Sequence, residues 1–68
     1  MIDEAAAQYQ KAVEIDPLFS VSRFKLAQAF EKRQMKEDAI HHYTTLLELT
    51  PMDIRAKDAR KRLKDLEQ

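Results

Sequence analysis

Glycine, cysteine and asparagine are absent from this 68-residue chain, and proline occurs only at Pro17 and Pro51. Without glycine there is no Gly-rich phosphate loop, and strand-rich folds lose the residue their turns rely on. Without cysteine there is neither a disulfide nor a thiolate metal site, which fits a reducing, cytoplasmic setting. Charge of one sign is missing too. Twelve basic and twelve acidic residues cancel, so nothing draws the chain as a whole to nucleic acid or an anionic membrane. No apolar run approaches the roughly 18 residues of a membrane span, and the first residues lack a signal peptide's basic and apolar regions. Alanine, leucine, lysine, glutamate, glutamine and arginine dominate, the strong helix formers. The fold class implied is all-α.

Apolar spacing marks four helical segments. The first, about residues 3–15, carries Ile2, Ala5, Tyr9 and Ala12 at three- and four-residue steps, with Ala6 and Val13 beside them. Asp3 is placed to cap its start, and Pro17 bars its continuation. The second, about 20–33, carries Val21, Phe24, Leu26, Ala27 and Phe30, with Ser20 and Ser22 as cap candidates. The third, about 37–49, carries Ala39, Ile40, Tyr43, Leu46, Leu47 and Leu49, and stops at Pro51. The fourth, about 53–66, has the thinner stripe Ala56, Ala59, Leu63 and Leu66 within a basic surface. Connections this short make consecutive helices antiparallel neighbours.

The chain also repeats itself. "AVEIDP" at 12–17 returns as "LLELTP" at 46–51, and at a shift of 34 residues Ala5 meets Ala39, Tyr9 meets Tyr43, Glu14 meets Glu48 and Pro17 meets Pro51. A fixed period of this length points to stacked helical hairpins, none of which buries its apolar face alone.

On these residues the chain resembles the tetratricopeptide repeat (TPR) family, whose units are helix-turn-helix pairs of about 34 residues. Leu26, Ala27 and Phe30, then Ala39, Tyr43 and Pro51, stand at positions where the family places its apolar, small, aromatic and closing proline residues. The resemblance implies an antiparallel helix-turn-helix repeat array, a four-helix α-solenoid fragment. Residues 1–17 would be the second helix of a truncated repeat, 18–51 one complete repeat, and 52–68 a C-terminal capping helix. Departures from the pattern are Arg23 in place of the usual tryptophan, Leu46 in place of a small residue, and Gln34 at the inter-helix position usually given to glycine. A left-handed backbone at Gln34 would cost about 1 kcal/mol.

Arrays of this family bind extended peptides or partner proteins on a concave surface lined by the first helices of their units. Those positions fall on Val21, Phe24, Lys25, Gln28 and Glu31, and on Arg55, Asp58 and Arg62; Phe24 has the alternative of packing against the fourth helix. The subclass that grips a C-terminal carboxylate through lysine, arginine and asparagine is not matched, since there is no asparagine. The function implied is a protein–protein interaction scaffold. The alternative is self-association: an array that starts with a second helix leaves Ile2, Ala5, Tyr9 and Ala12 without intrachain cover. Leaving ~200 Å² of such surface wet forgoes about 5 kcal/mol, so more repeats or another copy of the chain is expected there.

Enzymatic chemistry is not implied. Ser20 and Ser22 are accounted for as caps, and Thr44 and Thr45 lie mid-helix without a base beside them. The adjacent His41 and His42 point about 100° apart; paired with Glu37 and Asp38 they look like a solvated surface, so neither a metal nor another cofactor is expected. The basic run Arg55, Lys57, Arg60, Lys61, Arg62, Lys64 is interrupted by Asp58 and flanked by Asp53 and Asp65, and no exposed aromatic joins it for base stacking. Nucleic-acid binding is the least favoured function.

Overall fold

A computed structural model describes residues 4–67 and contains four helices among them, with no strand: α1 (Glu4–Ile15), α2 (Ser20–Lys32), α3 (Lys36–Leu49) and α4 (Arg55–Leu66). The all-α class is therefore what the composition implies. Asp3 as a cap, and Ile2 in the first stripe, lie outside the described residues.

The helix ends follow from local chemistry. After α1, Asp16 Oδ1 accepts the Leu18 amide at 3.1 Å, closing a side-chain turn around Pro17. After α3, the Thr50 amide and hydroxyl both donate to the Leu46 carbonyl at 2.8 Å, and Pro51 follows. The end of α2 is the most informative. The Gln34 amide bonds the Glu31 carbonyl at 3.0 Å and the Met35 amide bonds the Phe30 carbonyl at 2.9 Å. Gln34 itself has φ 60°. This is a Schellman motif with glutamine where glycine usually stands, in agreement with the left-handed position that the family resemblance implies for Gln34.

Ser20 is not a cap. Phe19 occupies the N-cap position of α2 without a side-chain bond, and Ser22 is buried within the first turn. The Ser20 hydroxyl donates instead to Asp53 Oδ2, 2.7 Å away on the turn before α4. Asp53 also accepts the Arg55 amide on Oδ1 at 2.9 Å. A bond to a carboxylate is stronger than one to a neutral backbone group, and it leaves α4 starting at Arg55 rather than at 53. The Ser20 hydroxyl and then the Arg55 amide hold the Asp53 carboxyl below its ordinary pKa. The two turns at this end of the molecule are thereby joined.

α2 packs against α1, α3 and α4, and α3 against α4, whereas α1 among the described residues touches only α2. The core comprises Ala6, Val13, Leu26, Ala27, Phe30, Ala39, Tyr43, Leu46, Ala56 and Ala59. Alanine fills half of these positions and lets the helix axes approach, so the bulk is concentrated in the fully buried Tyr43, Leu26 and Leu46. The Cα trace measures 27 × 25 × 14 Å. Its short dimension matches the Cα width of one helix plus one interaxial spacing, so the helices form two layers and each keeps a solvent-facing side.

A Gln34→Gly replacement should raise unfolding stability by up to about 1 kcal/mol by relieving the left-handed backbone, and urea denaturation would measure it. A loss of stability in that variant would contradict the strain assigned to Gln34.

Candidate functional site

Positions 24, 28 and 31 of α2 share one helix face, as do 58, 61 and 62 of α4. Where these faces meet, Phe24, Gln28, Asp58, Lys61 and Arg62 line an open groove of about 240 Å³. Phe24 forms its floor. Its ring meets the Tyr43 ring edge-on, with centroids 5.6 Å apart and planes at 65°. Packing on α3 and lining the groove are thus compatible for Phe24.

Beneath the groove, Tyr43 has no solvent exposure, and its hydroxyl donates to Glu31 Oε1 at 2.9 Å. Arg62 Nε lies 3.4 Å from the same oxygen. One carboxylate oxygen of α2 thereby ties α3 and α4 together. Burial, reinforced by the bond to Glu31, pushes the Tyr43 phenol up to about 12, so it remains a neutral donor throughout the physiological range. The Glu31–Arg62 pair is partly solvated, and such pairs contribute little net stability. Its effect is to orient both side chains at the groove's edge.

The remaining residues implied as partner-facing are dispersed. Glu31 is held at the groove's end by Tyr43 and Arg62. Lys25 turns toward α1, where a second groove of about 310 Å³ runs between Ala5 and Tyr9 on one side and Lys25, Gln28, Ala29 and Lys32 on the other. Gln28 borders both grooves. Val21 is half-buried, and Arg55 stands 3.8 Å from Asp53 Oδ1. Of the self-association stripe, Ala5 is exposed, Tyr9 and Ala12 are half-buried, and Ile2 lies outside the described residues.

The two histidines part company, which corrects the solvated-surface reading for one of them. His41 is exposed, but His42 is buried. Its ring stacks on Phe30 at 5.4 Å and 4°, and its Nδ1 lies 3.5 Å from Arg23 Nη1. Arg23 is buried as well, its Nη2 directed at the Pro17 carbonyl 3.4 Å away. A neutral imidazole suits this site, because Nδ1 can then accept from the guanidinium. Burial, then the neighbouring His41 and Arg23 charges, lower the His42 pKa to about 4 against the opposing pull of Asp38. Among the described residues no group of three or more His, Cys, Asp or Glu side chains converges as a metal site would require. No described helix is long and apolar enough to cross a membrane.

A further feature escaped the sequence reading. Ile15, Leu18 and Phe19 around the first turn, and Leu49, Met52 and Ile54 around the second, are exposed by 43% or more. The Ser20–Asp53 bond brings these two turns together. Helical periodicity could not reveal this surface, because most of it lies in turns. Its sequence signal is the recurrence of large apolar residues at 15 and 49, and at 18 and 52, one period apart.

Comparison with protein-family models, curated proteins and solved structures returned no match.

The stability of the chain should fall as the pH drops from about 6.5 toward 4. The folded-state pKa of His42 is depressed, so the unfolded chain takes up the proton first, and the contribution is complete above about 6.5 and lost by about 4. The span corresponds to roughly 3 kcal/mol at most. Urea unfolding at the two ends of this window should show most of that difference vanish in a His42→Gln variant. Separately, Tyr43→Phe should lower stability by about 1–3 kcal/mol, since it leaves Glu31 without its buried donor.

Proposed function

We propose that this chain is a non-catalytic interaction module that receives a peptide or partner protein in the groove between α2 and α4. One observation carries the proposal. Phe24, Gln28, Asp58 and Arg62, four of the eight residues that the TPR resemblance directs at a partner, line a single open groove together with Lys61. The site pairs an aromatic floor with an acid and two cations, a combination suited to peptide side chains and backbone.

Burial patterns support the repeat organisation behind this reading, with residues 18–51 as the complete unit. Ala39, Tyr43 and Leu46 are fully buried in α3. Their counterparts one period earlier, Ala5, Tyr9 and Ala12, are exposed or half-buried in α1. Two stacked hairpins would differ in this way if α3 has a helix on each side and α1 on one only. Arg23 occupies the family's tryptophan position as a buried side chain, so the chemistry of that anchor has changed while its placement has not.

Homo-oligomerisation is the second reading. The exposed apolar surface at the joined turns favours it more than the α1 stripe does, because large apolar patches on a small domain mark interaction sites.

Panning a displayed peptide library against the full chain would test the first reading. The double variant Asp58→Lys/Lys61→Glu alters only exposed groove residues, and it should weaken selected peptides about tenfold or more with the melting temperature unchanged. Peptides that bind the variant as well as the parent would defeat the assignment of this groove. Sedimentation of the parent, compared with Met52→Lys/Ile54→Lys, would reveal self-association through the turns.

A further inference from the structure

The groove between α1 and α2 has a counterpart within the same molecule. One period later its residues Ala5, Tyr9, Gln28 and Ala29 become Ala39, Tyr43, Arg62 and Leu63. That second cleft, between α3 and α4, is filled by α2: Phe24 meets the Tyr43 ring edge-on, and Glu31, two turns further along, accepts from the Tyr43 hydroxyl and pairs with Arg62. The chain thus displays what kind of element fits a cleft built on this pattern. It is a helix with an aromatic residue and a glutamate on one face.

The first groove differs from the second in charge. Ala59 and Leu66 of the filled cleft correspond to Lys25 and Lys32 in the open one. Both lysines are exposed and, among the described residues, neither is paired with a carboxylate. Apart from these two lysines and Arg33 at the edge, the lining residues Ala5, Tyr9, Gln28 and Ala29 are uncharged. A helix like α2, whose own charges are mostly basic, would meet like charge there. A helix bearing acids would not.

We propose that the α1/α2 groove docks an acidic amphipathic helix from outside this chain, presenting an aromatic side chain to Tyr9 and a glutamate two turns further on. In the docked state the Tyr9 hydroxyl donates to that glutamate as Tyr43 does to Glu31, Gln28 replaces Arg62 beside it, and Lys25 and Lys32 face the flanking acids. The helices of a second copy fit less well: α1 offers Glu4 and Glu14 on an exposed face, but its one aromatic, Tyr9, already lines the groove. The solvent face of α4 presents Lys57, Arg60, Lys61 and Lys64, repelled by the groove, while that of α3 presents Glu37, His41, Thr44 and Glu48 without a large apolar residue. The two grooves share Gln28, but Lys25 and Lys32 do not line the α2/α4 groove, nor Asp58 and Lys61 this one.

The test is a titration of the isotopically labelled full chain, followed by NMR. The probe is a capped, side-chain-stapled helical peptide with Phe, a Glu two turns later, and further glutamates along the flanks. Amide shifts should move at Ala5, Tyr9, Lys25, Ala29 and Lys32 and not at Asp58 or Lys61. Affinity should fall about tenfold in Lys25→Glu/Lys32→Glu, whose exposed positions leave the fold intact, and binding should be lost when the peptide's flanking glutamates become lysines. No shift at millimolar peptide, equal binding of both peptides, or shifts confined to Asp58 and Lys61 would each overturn the proposal. So would a concentration-dependent dimer in sedimentation whose interface shifts fall on Ala5 and Tyr9.

Discussion

Everything in this small array turns on the burial of one phenol. Tyr43 lies where α2, α3 and α4 meet, without solvent exposure, and a hydroxyl buried there must find an acceptor. Glu31 supplies it, Arg62 offsets the charge of Glu31, and Phe24 closes over the ring. The acceptor and the covering aromatic come from α2 and the counter-cation from α4. Correct placement of Tyr43 therefore requires α2 and α4 to be docked on α3 at the same time. A core in which alanine fills half the positions gains little from bulk, and a directional contact of this kind fixes the mutual register of helices that small side chains would let slide.

This arrangement also shows why the α2/α4 groove exists. Glu31 and Arg62 hold each other at its edge, Phe24 is occupied with Tyr43 beneath, and the space left between α2 and α4 stays open to solvent. The groove follows from how the helices are joined rather than being an addition to the fold. Asp58 and Lys61, on its exposed wall, take no part in that joining, and they are free to vary with a ligand's chemistry without disturbing the Tyr43 contact.

How much of this was legible beforehand depended on whether a feature was periodic. Pro17 and Pro51 marked the helix ends, the apolar spacing marked the helices, and the family resemblance, rather than the spacing, pointed to a left-handed backbone at Gln34, where the carbonyls of a helix end need satisfying. The partner-facing set was legible in part. Phe24, Gln28, Asp58 and Arg62 share a groove, but Lys25 does not face it, since rotation of about 100° per residue carries it toward α1. Long-range polar pairs left no periodic trace. Ser20 reads as a cap until Asp53, 33 residues away, is brought against it. His42 reads as solvated because it is titratable and paired by spacing with Asp38, and only its bond to the buried Arg23 and the Phe30 stack make its burial tolerable.

The pairing of Arg23 with His42 makes a broader physical point about replacing an apolar anchor. A guanidinium can fill the volume of a large aromatic only if something accepts its protons. Neutral His42 does so at Nδ1 and the Pro17 carbonyl does so at the rim, yet Nε remains without a partner among the described residues. The satisfaction is incomplete. The contact's stability depends on a histidine staying uncharged, because protonating His42 would set two cations against each other in a poorly solvated gap. In a fold of two helix layers, with few large side chains to compensate, that dependence extends to the whole fold. The same two residues anchor α3 on α2 at the level of the first turn, so the contact most exposed to acid also steadies the helix that carries Phe24.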